Sequence, residues 1–274
     1  MNGLSLIGLH LTLLNNIKES IKLMNLGTPI AVGNTAQIFL YENKIVKVFN
    51  DYLPDSEAAY EANKQKYVYS CGLSVPKIVD VTTIEGKQAI IMEHIQGKTI
   101  GDLLSENKDQ AEYYMNLSVE IQRKIHMKKA DALEPMSYKL SRQIESTQQL
   151  TQRQKHALLQ KMDDIIYENR LCHGDFHLYN LILADSNNEV TIIDWVDASA
   201  GDLRADVYRT YLLYELFSEE LAELYLRIYC QTSGLTKDDI FQWAPIIAGA
   251  RLSENVSSEK NERLLKIVND YCPI

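Results

Sequence analysis

Between residues 171 and 195, two short apolar runs each open into a polar loop. Leu171-Cys172 leads into His173-Gly174-Asp175-Phe176-His177-Leu178-Tyr179-Asn180, and Thr191-Ile192-Ile193 ends on Asp194-Trp195. Four residues separate Asp175 from Asn180, and Asp194 closes an apolar strand. Two carboxylates and a carboxamide are oxygen donors suited to a hard cation such as Mg²⁺, whereas imidazoles suit zinc. His173 and His177 are therefore read as residues that stabilise the loop.

Strands come first along the chain and helices later. Segments 28–32, 37–41 and 44–49 alternate or run apolar around Gly33-Asn34 and Glu42-Asn43, the pattern of an antiparallel sheet. Residues 55–70 carry a helical spacing that stops at Gly72, and 76–81 and 89–92 add strands around Glu85-Gly86. Helices dominate from Thr99 to the loop at 173, and again after Gly201. A chain of 274 residues holds one large or two modest domains, and two lobes sharing a cleft is the expected compromise. The boundary is placed in Glu93-His94-Ile95-Gln96-Gly97, which divides the chain into a small lobe, 1–95, and a large lobe, 96–274. Residues 1–23 are a possible extension. Their apolar positions fit an irregular strand (Leu9, Leu11, Leu13) or, the favoured reading, a helix continuing through Ile17, Ile21 and Met24 and packed on the small lobe. The apolar stretch at 4–14 is too short and polar to span a bilayer. No Lys or Arg precedes that stretch and no small-residue cleavage site follows it, so export is not expected.

Composition excludes other classes. Hydrophobic residues make up 46% and charged residues 24%, as in ordinary globular proteins. A net charge of −9 disfavours nucleic acid or an anionic membrane as partner, and no obligate protein partner is implied. Cys71, Cys172, Cys230 and Cys272 lie far apart without metal-binding spacing, so free thiols in a reducing cytoplasm are expected.

The spacing of Asp175 and Asn180 matches the catalytic loop of eukaryotic-type kinases, where the Asp receives the substrate proton and the Asn ligates a metal. With His173-Gly174-Asp175-Phe176-His177, Ile193-Asp194-Trp195 and Gly201-Asp202-Leu203-Arg204-Ala205-Asp206, the chain resembles the aminoglycoside phosphotransferase and choline kinase superfamily over about 27–209. Leu178 and Leu203 stand where many members carry Pro. The resemblance implies an α+β, two-lobed protein-kinase-like fold, with an antiparallel-sheet small lobe and a mainly helical large lobe. It implies an ATP-dependent phosphotransferase that moves the γ-phosphate to a hydroxyl of a small molecule.

Roles follow from the same resemblance. Asp175 orients the acceptor hydroxyl and takes its proton, Asn180 and Asp194 hold Mg²⁺, and Asp206 braces the catalytic loop. In the small lobe Gly33, Asn34 and Thr35 lie in a candidate phosphate-covering loop that reads equally well as a plain hairpin turn. Lys47, whose apolar neighbours point to the opposite face, contacts the phosphates, oriented by Glu61 or, one helical turn earlier, by Glu57. The Glu93 carbonyl and the Ile95 N–H are the expected adenine contacts, with Met92 lining the pocket behind.

Only seven residues lie between Asp194 and Asp202, which leaves no room for the activation loop on which protein kinases dock peptides. The acceptor is then a small molecule. Asp197 and the acidic balance favour a cationic or neutral polyhydroxy compound, such as an aminoglycoside or other antibiotic. A choline-like amino alcohol, a sugar, or a non-catalytic nucleotide sensor of the same fold are the alternatives.

Overall fold

The computed structural model describes residues 26–254 and 261–273. The helix expected near the N-terminus lies outside them. The chain divides into two compact units, Met1–Ile95 and Gln96–Ile274.

The first unit is a five-stranded antiparallel sheet in the order β1-β2-β3-β5-β4, formed by Ala31–Val32, Ala36–Tyr41, Lys44–Phe49, Ile78–Ile84 (β4) and Lys87–Glu93 (β5). Glu42 and Asn43 both take positive φ, 45° and 59°, and join β2 to β3 through two residues whose twist suits a tight hairpin. Glu85-Gly86 does the same between β4 and β5. The strand expected at 28–32 shrinks to Ala31–Val32, consistent with Pro29, which has no N–H for a ladder. Alternation along β3 divides its side chains. Val46 and Val48 pack with Phe39, Ile84, Ala89 and Ile91 on one face. Phe49 and Ile90 pack on the other against Ala58 and Ala62 of helix α1, Glu57–Ser70. Lys47 pairs in register with Ile90, so its side chain leaves the sheet toward α1.

The second unit is mainly helical. Thr99, whose Oγ1 accepts the Asp102 N–H, caps α2 (Ile100–Glu106). Helices α3 (Ala111–His126), α4 (Met136–Ser146) and α5 (Gln152–Asp164) follow, then α6 (Leu203–Phe217) and α7 (Glu219–Ser233). Two small sheets position the polar loops. Strand β7 (Arg170–Cys172) pairs with β10 (Ser199–Gly201), and β8 (Leu181–Ala184) pairs with β6 (Gly97–Thr99) and β9 (Val190–Ile192). Loop 173–180 connects β7 to β8, and loop 193–198 connects β9 to β10. Pairing β7 with β10 and β8 with β9 thus forces the two loops to run side by side. Phe176 and Trp195, one from each loop, are fully buried and anchor both to the core.

Candidate active site

In the first unit, Lys47 Nζ lies 2.6 and 2.8 Å from the two oxygens of Glu61. The pair is largely buried, with the two side chains 13% and 3% exposed. Glu61 is thus the partner of Lys47, and Glu57 stands at the start of the helix. Burying two charges costs desolvation that their attraction only partly offsets, so such a pair is weak evidence for a stabilising role and fits a functional one. Gly33, Asn34 and Thr35 form the tight connection from β1 to β2, in which the Gly33 N–H bonds to the Ala36 carbonyl at 2.9 Å. Asn34 gives its carbonyl to Asn50 Nδ2 at 3.0 Å and to the Tyr52 hydroxyl. Met92 sits in β5 against the cluster of Phe49 and Ile90, with Gln65 Nε2 3.9 Å from its sulfur. Glu93 ends β5, and Ile95 ends the first unit.

In the second unit the two loops are sewn together by their backbones. The Ile193 N–H donates to the Asn180 carbonyl at 3.0 Å, and His173 Nε2 donates to the Ile193 carbonyl at 3.0 Å. His173 Nδ1 accepts the Asp175 N–H at 3.2 Å, which fixes the tautomer, and burial pushes its pKa down so that the ring is neutral. Its ring rests on Trp195 at 4.5 Å and on Phe176 at 5.7 Å. Asn180 directs Nδ2 to the Asp175 carbonyl at 2.8 Å and toward Asp175 Oδ2 at 3.4 Å, which turns its Oδ1 away as an acceptor. Asp194 has φ of 62°, a left-handed backbone that non-glycine residues here otherwise show only in turns between strands, among the described residues. Strain of this kind persists where the surroundings impose it, often at functional sites.

Asp206, wholly enclosed on α6, braces the Asp175 loop. Its Oδ1 accepts the Gly174 N–H at 2.7 Å, and its Oδ2 meets the His173 N–H at 3.2 Å, His126 Nε2 at 2.9 Å and Gln122 Nε2 at 3.3 Å. His126 in turn meets the Tyr229 hydroxyl at 2.7 Å. Cys172 lies beside His126 and Asp206, which are joined to each other by the 2.9 Å contact. Gly174 has φ of 82°, and a Cβ there would stand 2.5 Å from the Asp197 carbonyl oxygen, so only glycine lets the two loops touch.

Charges around Asp175 hold it ionised. Burial opposes ionisation, but the contact with His177 and the charge of Arg209 outweigh it and keep the carboxyl well below the usual range. Arg209, one turn beyond Asp206 on α6, donates Nε to the Gly174 carbonyl and forks onto Glu254 at 2.7 and 3.1 Å. Its spacing from Asp206 was the signal that could have found it. Lys139 on α4 forms an ion pair with Asp197, and nothing in the local sequence marks it. Burial raises the Asp197 pKa, yet Lys139 and Arg209 outweigh it and hold the carboxyl down. Its charge is therefore already compensated, which removes Asp197 as a reason to expect a cationic acceptor.

The architecture is that of the kinase-like fold, an antiparallel five-stranded sheet in one unit and a mainly helical second unit with paired loops carrying Asp175 and Asp194. A model of the phosphotransferase enzyme family matches residues 27–243. The chain belongs to that family.

Among solved structures, it is similar to a thermostable mutant of aminoglycoside phosphotransferase APH(4)-Ia in ternary complex with ADP and hygromycin B, with a TM-score of 0.68 at 14% identity over 95% of this chain and 99% of that one. It is also similar to a putative fructosamine-3-kinase from Haemophilus somnus (0.66, 12%, over 89% and 90%). A choline/ethanolamine kinase family protein from Mesorhizobium loti shares the fold as well (0.57, 13%, over 94% and 92%). Among curated proteins, acyl-CoA dehydrogenase family member 11 from Pongo abelii is 26% identical over 214 residues, 64% of this chain. The human protein of that name is 26% identical over 178 residues, 56% of this chain. The chain spans about a quarter of their length, 27% and 23%. Among the described residues no helix is long and apolar enough to cross a membrane.

Proposed function

We propose that the chain transfers the γ-phosphoryl group of ATP to the hydroxyl of a small organic acceptor. The observation that carries this reading is the Asp175 loop itself: an ionised carboxylate, set at its angle by Asp206 and Arg209 and hydrogen-bonded to the carboxamide of Asn180. Asp175 accepts a hydrogen bond from the acceptor hydroxyl, aligns its oxygen and takes the proton as transfer proceeds. A carboxyl held so low in pKa is a weak base. That suits a loose transition state in which positioning outweighs proton abstraction.

Asn180 and Asp194 offer a carboxamide and a carboxylate oxygen, a donor set that fits Mg²⁺. When bound, the ion would neutralise charge on the phosphates. Asp206, His173 and the Ile193–Asn180 bond hold these ligands in place. Lys47, aimed by Glu61, contacts the nucleotide phosphates, and Glu93, Ile95 and Met92 belong to the adenine side, with residues 33–35 over the phosphates. These assignments make Met1–Ile95 the nucleotide-binding unit and Gln96–Ile274 the catalytic one.

The test is an ADP-release screen with Mg²⁺ and ATP against aminoglycosides, macrolides, amino alcohols, sugars and simple alcohols. Acceptor-dependent ADP is expected from one class. ATP binding without acceptor-dependent ADP from any of them would favour a nucleotide sensor instead.

A further inference from the structure

A cavity of about 390 Å³ opens within the second unit directly beside the Asp175 loop. Leu104 of α2, His177 and Tyr179 of the loop, Tyr214 and Phe217 of α6 and Leu221 of α7 line it. The volume lies near the lower end of the range for small-molecule sites. Two of its rings are open to solvent, Tyr179 at 41% and Phe217 at 63%, and they stand 6.1 Å apart in a tilted arrangement. The Tyr179 ring lies so close on the α2 backbone that a Cβ at Gly101 would meet it at 2.5 Å, so the ring is a fixed wall.

Most polar groups around the cavity are already engaged, the exception being His177 Nδ1, which is buried without a hydrogen-bond partner. The Tyr179 hydroxyl is 3.3 Å from Ser105 Oγ, which itself lies 2.9 Å from the Gly101 carbonyl it donates to. The Tyr214 hydroxyl is 3.4 Å from Ser118 Oγ, and Ser218 Oγ donates to Glu220 at 2.5 Å. Apart from His177 Nδ1, what remains is mainly hydrocarbon and ring, with Lys108 and Glu220 exposed among the lining residues. A polyhydroxylated or polycationic compound would lose its hydration here and gain few partners. An apolar body would gain by burial.

Resting on the reading that Asp175 orients the acceptor, we propose that this cavity holds the body of that acceptor. The acceptor is then an alcohol whose hydroxyl is carried on an apolar chain or single ring, rather than an aminoglycoside or a sugar. His177 links the two places: it lines the cavity, and its Nε2 is 3.5 Å from Asp175 Oδ2. A hydroxyl at one end of a body lying on Tyr179 and Phe217 is within reach of Asp175. In the step itself, the hydroxyl oxygen bonds to the γ-phosphorus and the bond from that phosphorus to the β,γ-bridging oxygen breaks. ADP leaves with the electron pair, and the hydroxyl proton passes to Asp175 and on to water.

The test uses 3-phenylpropan-1-ol as probe on the full chain with Mg²⁺ and ATP, its binding followed by ligand-observed NMR and its turnover by ADP release. It should bind, and Phe217→Asp and Leu221→Ser should each weaken binding about tenfold, with unchanged melting temperature. Tyr113→Asp, at an exposed aromatic outside the cavity, should leave binding as it was. Hygromycin B and choline should not displace the probe. The proposal is overturned if the alcohol does not bind, if both cavity variants bind it as wild type does, or if hygromycin B or choline displaces it. ADP formed only from aminoglycosides, amino alcohols or sugars refutes the acceptor class and leaves phosphotransfer standing. A bound alcohol with no ADP from any compound refutes phosphotransfer itself.

Discussion

Replacing Asp206 by alanine should damage the site from a distance, and the structure sets the size of the effect. The carboxylate accepts two backbone N–H groups, from His173 at 3.2 Å and Gly174 at 2.7 Å, both in the interior. Each orphaned buried donor costs about 1–3 kcal/mol, so the backbone alone puts the loss at about 2–6 kcal/mol. The side-chain partners add less, because Gln122 keeps Thr210 at 3.0 Å and His126 keeps Tyr229 at 2.7 Å. Some water entry lowers the total, and about 3–5 kcal/mol is expected, as for other broken buried pairs. Against a typical stability of about 5–15 kcal/mol the variant should remain foldable but weak, with a looser Gly174-Asp175 turn and a large loss of kcat.

Denaturant unfolding at pH 7 measures the first effect and acceptor-dependent ADP release the second. A loss below about 1 kcal/mol with kcat retained would refute the brace. The pH dependence gives a second reading. Burial opposes ionisation of Asp206, but the contact with His126 and the Gly174 N–H outweigh it, so its folded pKa lies below the ordinary value. Its stabilisation is then complete above the unfolded-state pKa of about 3.9 and is lost as pH falls through the folded value. The contribution of the Asp206 carboxylate to the stability gap between wild type and Asp206→Asn should shrink as pH falls below about 4.

Asp175→Asn should leave ATP affinity intact and lower kcat by about 10²–10⁴, and near-normal turnover in steady-state assays would remove Asp175 from its role. Lys47→Ala and Glu61→Ala should each cripple turnover while the double variant is little worse, because the 2.6 Å pair works as a unit. Strict additivity in that cycle would mean that the lysine acts without the glutamate. Asp194→Ala should weaken Mg²⁺-dependent ATP binding in titration calorimetry, and Asn180→Ala should do so more mildly, since a neutral amide attracts the cation less. Identical metal dependence in wild type and Asp194→Ala would count against the assignment.

Much of this was legible in the residues themselves, because it rests on short-range pattern. Alternation along Lys44–Phe49 put Lys47 on the face opposite Val46 and Val48, and the two-residue turns at Glu42-Asn43 and Glu85-Gly86 announced hairpins. The spacing of Asp175, Asn180 and Asp194 marked the two polar loops that the structure sets side by side, since loop and strand ends are local features. Only the tertiary structure chose Glu61 over Glu57. Both glutamates lie on similar faces of one helix, and the choice depends on where α1 packs against Ile90 and Phe49. The same holds for Asp197. Its charge read as open to an acceptor until Lys139, 58 positions away, was found against it. Arg209 and Glu254, which tie α6 to the Gly174 carbonyl, meet across 45 residues of chain. Such contacts follow from how helices stack, and a stacked pair leaves no spacing in the sequence to read.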